Sequence, residues 1–405
     1  MSDRYPGGLI RKTPPTITPP VDGEGGSAPG IWTLEQASYY EGTGEWPKPV
    51  LPRELYAWGD NTEGKLGDNS VVTKSSPTQI GTGITWLQVS AAYGFTTAVK
   101  TDGTLWSWGL NTEGQLGLND AIDRSSPTQI GALTVWASVS TGYSHVAARK
   151  TDGTIWLWGS NSTGELGQND RITGSSPVQV GALSTWSQIN AGEDFTVAVK
   201  TDGTVWIWGT DLQGRLGDPF APAGGRSSPV QLGALTNWAT VATKRRHTLA
   251  TTTGGELYVW GRNEAGRLGN NTESVDLSSP VQIGALTTWL SAATSYNNSI
   301  AVKTDNTLWT WGFNSDGQLG QNNRVSRSSP VQIGALTDWS QGSIAFDQAA
   351  AIKTDGTLWV WGNNGTGELG QNDAINRSSP VQVGALTTWE QVSAGGNFTA
   401  ATTKG

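Results

Sequence analysis

The dipeptide Trp-Gly recurs seven times in this chain at an almost constant interval. Its tryptophans are spaced by 50, 50, 50, 52, 51 and 50 residues, at Trp58, Trp108, Trp158, Trp208, Trp260, Trp311 and Trp361. Each copy is followed by Gly-x-Leu-Gly and then by Ser-Ser-Pro. A period of this length indicates stacked supersecondary units, so the repeat limits the fold before any single residue is interpreted.

One repeat predicts four short antiparallel strands. Residues 139–141 and 146–150 form two strands around a turn, and Asp152-Gly153 predicts a two-residue hairpin into a third strand at 155–158. A Gly- and Asn-rich loop then leads to Ser-Ser-Pro, which opens a fourth strand at residues 178–180. Four such strands per period are typical of a propeller blade. We predict an all-β fold, a seven-bladed β-propeller over residues 51–405.

Tryptophan is the compositional outlier, with 21 copies. Beside the Trp-Gly residues, seven precede the first strand and five lie two residues before a Trp-Gly tryptophan, where Tyr56 and Tyr258 replace them in the other two copies. A buried indole removes about 150–250 Å² from water. Aromatics at the same position of every repeat are explained most simply as packing between blades. A stacking platform for sugars or bases is the alternative.

The register of the two chain ends predicts how the ring closes. Aligned on the repeat, the chain begins and ends within the same hairpin turn of one blade. Residues 389–405 would supply two strands of that blade and residues 55–81 the other two. Pairing between the two ends would leave no open sheet edge, and it would place Arg53 near Gly405.

Composition excludes several classes of function. The chain contains no cysteine and no apolar run of about 18 residues, so disulfides, thiolate metal sites and a membrane span are not expected. A net charge of -8 argues against a general nucleic-acid binder, which needs a basic face.

The repeat resembles a known family. Val-Ser-x-Gly, then Lys-Thr-Asp-Gly-Thr-Leu-Trp-x-Trp-Gly-x-Asn-x-x-Gly-Gln-Leu-Gly, then Ser-Pro-x-Gln-Val is similar to the regulator of chromosome condensation repeat, over residues 54–405. The resemblance implies a seven-bladed propeller. The family includes a guanine-nucleotide exchange factor for a nuclear GTPase, a plant UV-B photoreceptor, and bacterial and viral propellers.

Two of these activities fit the sequence poorly. Exchange activity in the family depends on a wedge inserted from one blade, and the largest insertion here is two residues, near Pro219 to Arg226. Residues 244–248, Lys-Arg-Arg-His-Thr, resemble the photoreceptor's Arg-His-Thr turn. That family's trio of tryptophans on the ring face is absent, because the tryptophans here occupy repeat positions.

Residues 1–50 do not repeat and predict an extended arm. They are rich in Pro and Gly, and Thr33-x-x-Gln36 is a capping box for one short helix. The arm is similar over about forty residues to the leader of structural proteins of marine tailed phages. Its apolar side chains are candidates for anchoring to a partner: Ile10, Trp32, Leu34, Tyr39, Tyr40 and Trp46.

The sequence contains no residue pattern that indicates a catalytic site. The two histidines, His145 and His247, occupy equivalent positions of separate repeats without a second His or Cys. The Gly-x-Leu-Gly motifs lack the Lys-Ser/Thr of a phosphate loop. Asn-Asp pairs such as Asn119-Asp120 could ligate calcium, but they are also ordinary turn residues. We expect no catalytic residue, no cofactor and no bound metal.

The repeats differ most in the turn between the first and second strands. Equivalent turns of a propeller form a ring on one face, so these residues should form an asymmetric surface of aromatic and charged groups. The candidate recognition residues are Tyr93, Tyr143, His145, Glu193, Asp194, Lys244, Arg245, Arg246, Tyr296, Phe346 and Asp347. The alternative is that these turns vary because nothing constrains them.

These observations lead to two functional hypotheses. The first is a non-enzymatic structural protein of a phage virion. Its arm would bind other virion proteins, its ring would contact a host surface glycan or protein, and it could form a homo-oligomer. The second is an intracellular interaction scaffold or signalling regulator of the condensation-regulator type.

Overall fold

The structure is a computed structural model that describes residues 52–405, which fold into seven four-stranded antiparallel sheets. The predicted seven-bladed all-β propeller is confirmed. The predicted arm, with its helix and its six anchoring residues, lies outside the described residues. In the described part, the only helical elements are two 3₁₀ turns, Leu212–Gly214 and Glu264–Gly266, so no helix there is long and apolar enough to cross a membrane.

The strands are numbered β1 to β28 along the chain, and each sheet forms one blade. We number blade 1 from β3, so that blade 7 contains β27, β28, β1 and β2. The first strands of blades 1–7 (β3, β7, β11, β15, β19, β23 and β27) are Trp86–Ala91, Trp136–Thr141, Trp186–Ala191, Trp238–Thr243, Trp289–Thr294, Trp339–Ile344 and Trp389–Ala394. The second strands (β4, β8, β12, β16, β20, β24 and β28) are Phe95–Lys100, His145–Lys150, Phe195–Lys200, His247–Thr252, Asn298–Lys303, Gln348–Lys353 and Phe398–Thr403.

The two outer strands of each blade carry the repeated motifs. The third strands (β5, β9, β13, β17, β21, β25 and β1) are Leu105–Gly109, Ile155–Gly159, Val205–Gly209, Leu257–Gly261, Leu308–Gly312, Leu358–Gly362 and Leu55–Gly59. The fourth strands (β6, β10, β14, β18, β22, β26 and β2) are Arg124–Gln129, Gly174–Gln179, Arg226–Gln231, Leu277–Gln282, Arg327–Gln332, Arg377–Gln382 and Lys74–Gln79.

The first strands of neighbouring blades contact one another in an unbroken ring, from β3 through β27 and back to β3. They therefore lie nearest the axis and surround a central channel. Blade 7 closes the ring as predicted, because β1 of the N-terminal side pairs with β28 of the C-terminal side. The amide of Thr403 donates to the carbonyl of Glu54 at 2.9 Å, next to the predicted neighbours Arg53 and Gly405.

Strand bounds differ from the prediction in two places. The first strand of blade 2 begins at Trp136 rather than residue 139, with a pairing irregularity between Trp136 and Ser138. The fourth strand spans Gly174–Gln179, so Pro177 lies inside it, within an irregularity between Gly174 and Val178. Proline is tolerated there because this edge strand needs no ladder donor from it.

The hairpin at Asp152-Gly153 also differs from the predicted two-residue turn. The amide of Gly153 donates to the carbonyl of Lys150 at 3.0 Å, and that of Lys150 donates to the carbonyl of Thr154 at 2.9 Å. Gly153 has a φ of 82°, and the Asp152 carboxylate accepts from the amide of Thr154 at 2.9 Å. This is a three-residue turn with a glycine bulge, in which only the glycine must be left-handed.

The Trp-Gly tryptophans join neighbouring blades. All seven are fully buried, and the indole N–H of Trp158 in blade 2 donates to the carbonyl of Gln115 in blade 1 at 3.0 Å. The second glycine of Gly-x-Leu-Gly packs against the same ring, since a Cβ on Gly117 would lie 2.7 Å from the Trp158 Nε1. The repeated motifs are therefore the two halves of one inter-blade contact, and packing explains these tryptophans without a ligand.

Candidate functional site

The turns between first and second strands gather at one end of the propeller, which we call the turn face. In every blade except blade 4, a backbone hydrogen bond closes the turn, for example from the amide of Gly142 to the carbonyl of His145 at 2.9 Å. Neighbouring turns are also joined: the amide of Tyr143 donates to Gly192 at 3.1 Å, and the amide of Glu193 to Arg245 at 3.1 Å. Backbone hydrogen bonds thus link the turns of blades 2, 3 and 4, and the amide of Gly396 in blade 7 donates to the carbonyl of Ala92 in blade 1 at 2.9 Å.

At the centre of the turn face lies a group that we call the aromatic bowl: Tyr93, Tyr143, Arg245, Tyr296 and Phe346. The rings of Tyr296 and Phe346 are stacked with centroids 4.5 Å apart, and those of Tyr93 and Tyr143 lie 5.4 Å apart. The Arg245 guanidinium lies 4.0 Å from the Tyr296 ring centroid and 5.0 Å from that of Tyr143. It therefore joins the two aromatic pairs. The depression encloses only about 40 Å³, so it is a shallow surface and not a deep ligand pocket.

Glu193 fixes the arginines beside the bowl. Its carboxylate accepts from Arg245 Nε at 2.8 Å and from Arg246 Nε at 2.7 Å, and Arg215 Nη1 lies 3.3 Å away. Burial would raise the pKa of Glu193, but the bonds from Arg246 and Arg245 and the charges of Arg245 and Arg215 outweigh it and lower that pKa. Glu193 is thus engaged internally and holds Arg245 against the aromatic rings.

The other two carboxylates of the predicted ring behave differently. Burial raises the pKa of Asp194, and the neighbouring charge of Glu193 adds to this, against the effect of Arg215. Burial raises the pKa of Asp347 to about 6, with further contributions from Asp316 and Glu368. Asp347 Oδ1 accepts from Gln318 Nε2 at 3.3 Å. These two groups are the acidic part of the surface around the bowl.

Lys244 spans the mouth of the central channel. It belongs to the turn of blade 4, yet its ammonium group donates to the carbonyl of Ala91 in blade 1, on the opposite side of the axis. Burial lowers its pKa to about 8. Lys244 therefore separates the bowl from the channel beneath it.

His145 does not belong to the exposed ring. It is 0% exposed, and its Nε2 lies 3.0 Å from the Thr196 Oγ1 of the next blade. His247 is placed in the same way, 2.8 Å from the Ser299 Oγ. Burial lowers the pKa of His145 to about 4, so it is neutral at pH 7. The last residue of this turn opens the second strand and points into the blade interface, as Phe195 does in blade 3, which removes His145 from the recognition surface.

A second ring beneath the turns was not found from the sequence. It consists of the variable residue of each Gly-x-Leu-Gly motif: Lys65, Gln115, Glu165, Arg215, Arg267, Gln318 and Glu368, all buried. Their side chains reach the turns, as Arg267 Nη1 donates to the carbonyl of Tyr296 at 2.6 Å. The sequence signal for this ring is that the position is the only one of the motif that changes between repeats, and it is charged in five of the seven.

The turn face also carries an exposed apolar rim. Because strands alternate in direction, the loops between third and fourth strands lie at the same end as the turns. Each loop exposes at least one large apolar side chain, and one residue per loop, from Val325 at 54% to Phe220 at 86% exposed, represents it here. We call these residues the rim: Val72, Ile122, Ile172, Phe220, Val275, Val325 and Ile375.

The Asn-Asp pairs of the same loops are structural. Asn119 has a φ of 62°, and the Asp120 carboxylate accepts from the amide of Ile122 at 3.0 Å and from Arg124 at 2.6 Å. Across residues 52–405, no group of three or more His, Cys, Asp or Glu side chains is arranged to hold a metal ion.

Most of this chain matches a protein-family model. The model described as the RCC1-like domain matches residues 52–347, well over half of the chain. The chain belongs to the RCC1-like domain family. A second model, the regulator of chromosome condensation (RCC1) repeat, matches residues 355–402.

Curated relatives share short stretches of this propeller. The chain is 37% identical over 92 residues to the RCC1 domain-containing protein RUG3, mitochondrial, of Arabidopsis thaliana, covering 21% of each protein. It is 38% identical over 81 residues to the Protein RCC2 homolog of Danio rerio, covering 20% of this chain and 16% of the relative. It is 33% identical over 103 residues to the Ultraviolet-B receptor UVR8 of Arabidopsis thaliana, covering 24% and 23%. The chain thus spans about a fifth of the length of the curated relatives it matches.

Solved structures match almost the whole propeller. Human WBSCR16 superposes with a TM-score of 0.78 at 22% identity, covering 87% of this chain and 99% of that one. Yeast RCC1 (Prp20), in a complex with Kap60, gives 0.79 at 18% identity, covering 88% and 89%. At these identities the likeness shows the fold alone.

Proposed function

We propose that this propeller is an interaction scaffold that binds a protein partner through its turn face. The observation that carries the proposal is the coincidence, at one end of the molecule, of the aromatic bowl and the apolar rim. Tyr93 and Tyr143 are 45% and 38% exposed although they lie at the centre of the ring. Exposed tyrosines next to a fixed arginine are the side chains that most often dominate protein-binding energy.

The rim also favours the turn face as the binding surface. Seven apolar side chains, one in each blade, encircle the bowl and remain exposed. Solitary exposed apolar residues need no explanation, but a set that surrounds polar and aromatic groups on one face favours a docking surface. A partner that covers bowl and rim together would bury arginines already paired with Glu193, which lowers the cost of desolvating them.

Similar propellers give independent support. Yeast RCC1 (Prp20) is seen bound to Kap60, and a second yeast structure is described together with its binding to Gsp1p and histones. These partners belong to those proteins. What we carry over is the use of a propeller of this fold as a protein-binding scaffold.

The experiment is capture of partners from the native source by the full chain and three variants. Tyr143→Ala with Tyr296→Ala removes the bowl, and Ile122→Ser with Ile172→Ser alters the rim. Leu133→Ser with Leu286→Ser is the control, because these exposed leucines follow fourth strands and lie at the opposite end. We expect the first two variants to lose a specific partner at least tenfold and the control to retain it. Equal capture by bowl, rim and control variants would refute the proposal.

The virion hypothesis is retained as a second proposal. It rests on the phage-like leader within residues 1–50, and its partners would be other virion proteins and a host surface glycan or protein. The relatives named above come from plants, animals and yeast, which favours the scaffold. Detection of the protein in purified particles, with incorporation lost on deleting residues 1–50, would favour the virion. Binding of a purified small GTPase to the propeller would favour the signalling scaffold.

A further inference from the structure

The first strands line the central channel beneath the turn face with side chains that are mostly polar and all uncharged. In each first strand, two alternate residues face the axis while the residues between them, such as Val89, face the blade. The layer nearer the turn face is Ser90, Ser140, Asn190, Ala242, Ala293, Ser343 and Ser393. The second layer is Gln88, Ser138, Gln188, Thr240, Ser291, Gln341 and Gln391. Neither layer contains a carboxylate.

Many acceptor atoms of this lining are already occupied. The Gln188 amide binds both backbone groups of Val241 in the next blade at 2.9 Å, and Gln88 does the same with Val139. The hydroxyl oxygen of Ser140 accepts the amide of Ala191 at 3.0 Å. Ser343 and Ser393 accept the amides of Ala394 and Ala91 in the same way. The hydroxyl protons of such serines remain as donors for a ligand in the channel.

Arg149 brings a cation to this lining. It occupies a position of the second strand where four other blades have an aliphatic residue and blades 4 and 7 have threonine: Val99, Val199, Val302, Ile352, Thr251 and Thr402. Its strand neighbour is Ser138, at a position where blades 1, 3, 6 and 7 carry glutamine. Ser138 and Arg149 therefore both differ from the common residue of the repeat, and they lie opposite each other on neighbouring strands. Serine is smaller than glutamine, which leaves space for the arginine side chain.

This arginine is not paired within the propeller. Its Nε is buried without a hydrogen-bond partner, and Nη1 only approaches the carbonyl of Lys150 at 3.4 Å. Among residues 52–405, neither Arg149 nor Lys244 forms an ion pair with a carboxylate. A partly buried charge without a counter-charge is costly, so a bound anion would offset a real penalty.

The surrounding space fits a small anion. Arg149 lines a cavity of about 370 Å³ together with Ser138, Ser140 and Gln188. This cavity continues into a second of about 210 Å³ that ends at Lys244, and the two share Ser90, Ser140, Gln188 and Asn190. Because β8 runs away from the turn face, Arg149 lies toward the opposite end of the channel, and Lys244 covers the other end.

We propose that the central channel binds a small oxyanion, of the class of inorganic phosphate, at Arg149. The planar guanidinium can bind two oxygens at once, and the serine hydroxyls supply further donors. Lys244, about four strand residues away, does not touch this anion but makes the potential of the channel positive. The anion enters from the end opposite the turn face. The proposal is independent of any partner on that face.

The test is thermal unfolding of the full chain in phosphate and in sodium chloride of equal ionic strength. We expect phosphate to raise the Tm of the native chain beyond the effect of chloride. Arg149→Val, which introduces the aliphatic residue that four other blades carry, should fold normally and lose this additional shift. Arg324→Gln, an exposed arginine in a peripheral loop, removes the same charge and should keep the shift.

Two further variants distinguish phosphate binding at Arg149 from a general effect of positive charge. Arg149→Lys keeps the charge without the two-pronged geometry, so phosphate affinity measured by calorimetry should fall about tenfold or more. Lys244→Met should weaken binding only a few-fold, since it acts at a distance. Equal phosphate shifts in the native chain, Arg149→Val and Arg324→Gln would overturn the proposal, as would no phosphate-specific shift in the native chain.

Discussion

The loop after the third strand and the turn after the first strand lie at the same end of every blade, yet the repeat constrains them in opposite ways. In the loop, Gly117 and Leu116 are fixed because the loop packs on Trp158 of the next blade. In the turn, only the backbone is fixed, and side chains range from Tyr143 to Arg245. Repetition in this chain therefore marks contacts between blades. Among the exposed residues of the turn face, variation marks the positions that these contacts do not constrain.

The largest expected effect is the loss of a repeated indole. Trp158→Ala should lower the free energy of unfolding by about 3–5 kcal/mol, because it opens a cavity and removes the bond to the Gln115 carbonyl. Trp156→Ala, at a half-buried position, should cost clearly less. Urea unfolding followed by circular dichroism measures both. An equal loss of unfolding free energy in both variants would contradict the conclusion that repeated residues mark the contacts between blades.

A smaller effect isolates the glycine that faces this indole. Gly117→Ala places a methyl 2.7 Å from the Trp158 Nε1 at a φ of 70°, whereas Gly131→Ala meets nothing within 4 Å at a φ of 61°. Both variants suffer the left-handed backbone, at about 1 kcal/mol. Gly117→Ala should cost about 2 kcal/mol more because of the clash. If the two variants unfold at the same denaturant concentration, the contact with the Trp158 ring does not contribute to stability.

On the turn face, Asp347 should make the free energy of unfolding depend on pH. Its pKa is raised from 3.8 to about 6, so between these values the folded chain holds a proton that the unfolded chain has released. This group's contribution to stability therefore falls as the pH rises from about 4 to 6. Asp347→Asn should abolish that slope and increase stability at pH 7 by about 1–2 kcal/mol, allowing for partial exposure. Unfolding free energies measured from pH 4 to 7 decide this, and an unchanged slope would contradict it.

The smallest effect is expected at the centre of the aromatic bowl. Tyr143→Ala should change the free energy of unfolding by less than about 1 kcal/mol, because the ring is 38% exposed and has only Tyr93 and Arg245 as aromatic or cationic neighbours. The same measurement as for Trp158→Ala applies. A loss comparable to that of the indole would mean that the turn is structural.

The difference between repeated and variable positions also explains which features the sequence predicts. The blades, the closure and the packing of the tryptophans are predictable because each rests on a contact made seven times. The side of the sheet on which a single residue lies is not predictable in this way. The turn pattern places His145 in the exposed ring, but the last residue of the turn points into the blade interface. The rim and Arg149 were missed because their meaning depends on which end of the blade, or which side of the channel, the fold presents.

The pairing of β1 with β28 has a consequence for protein engineering. Since residues 53–405 start and stop in a hairpin that every other blade makes without interruption, the break in blade 7 is one of seven equivalent places for it. Joining residue 405 to residue 53 and cutting at Asp152-Gly153 should give a circular permutant of the same propeller. New termini could then be moved from blade to blade around the ring, each time at the end opposite the turn face.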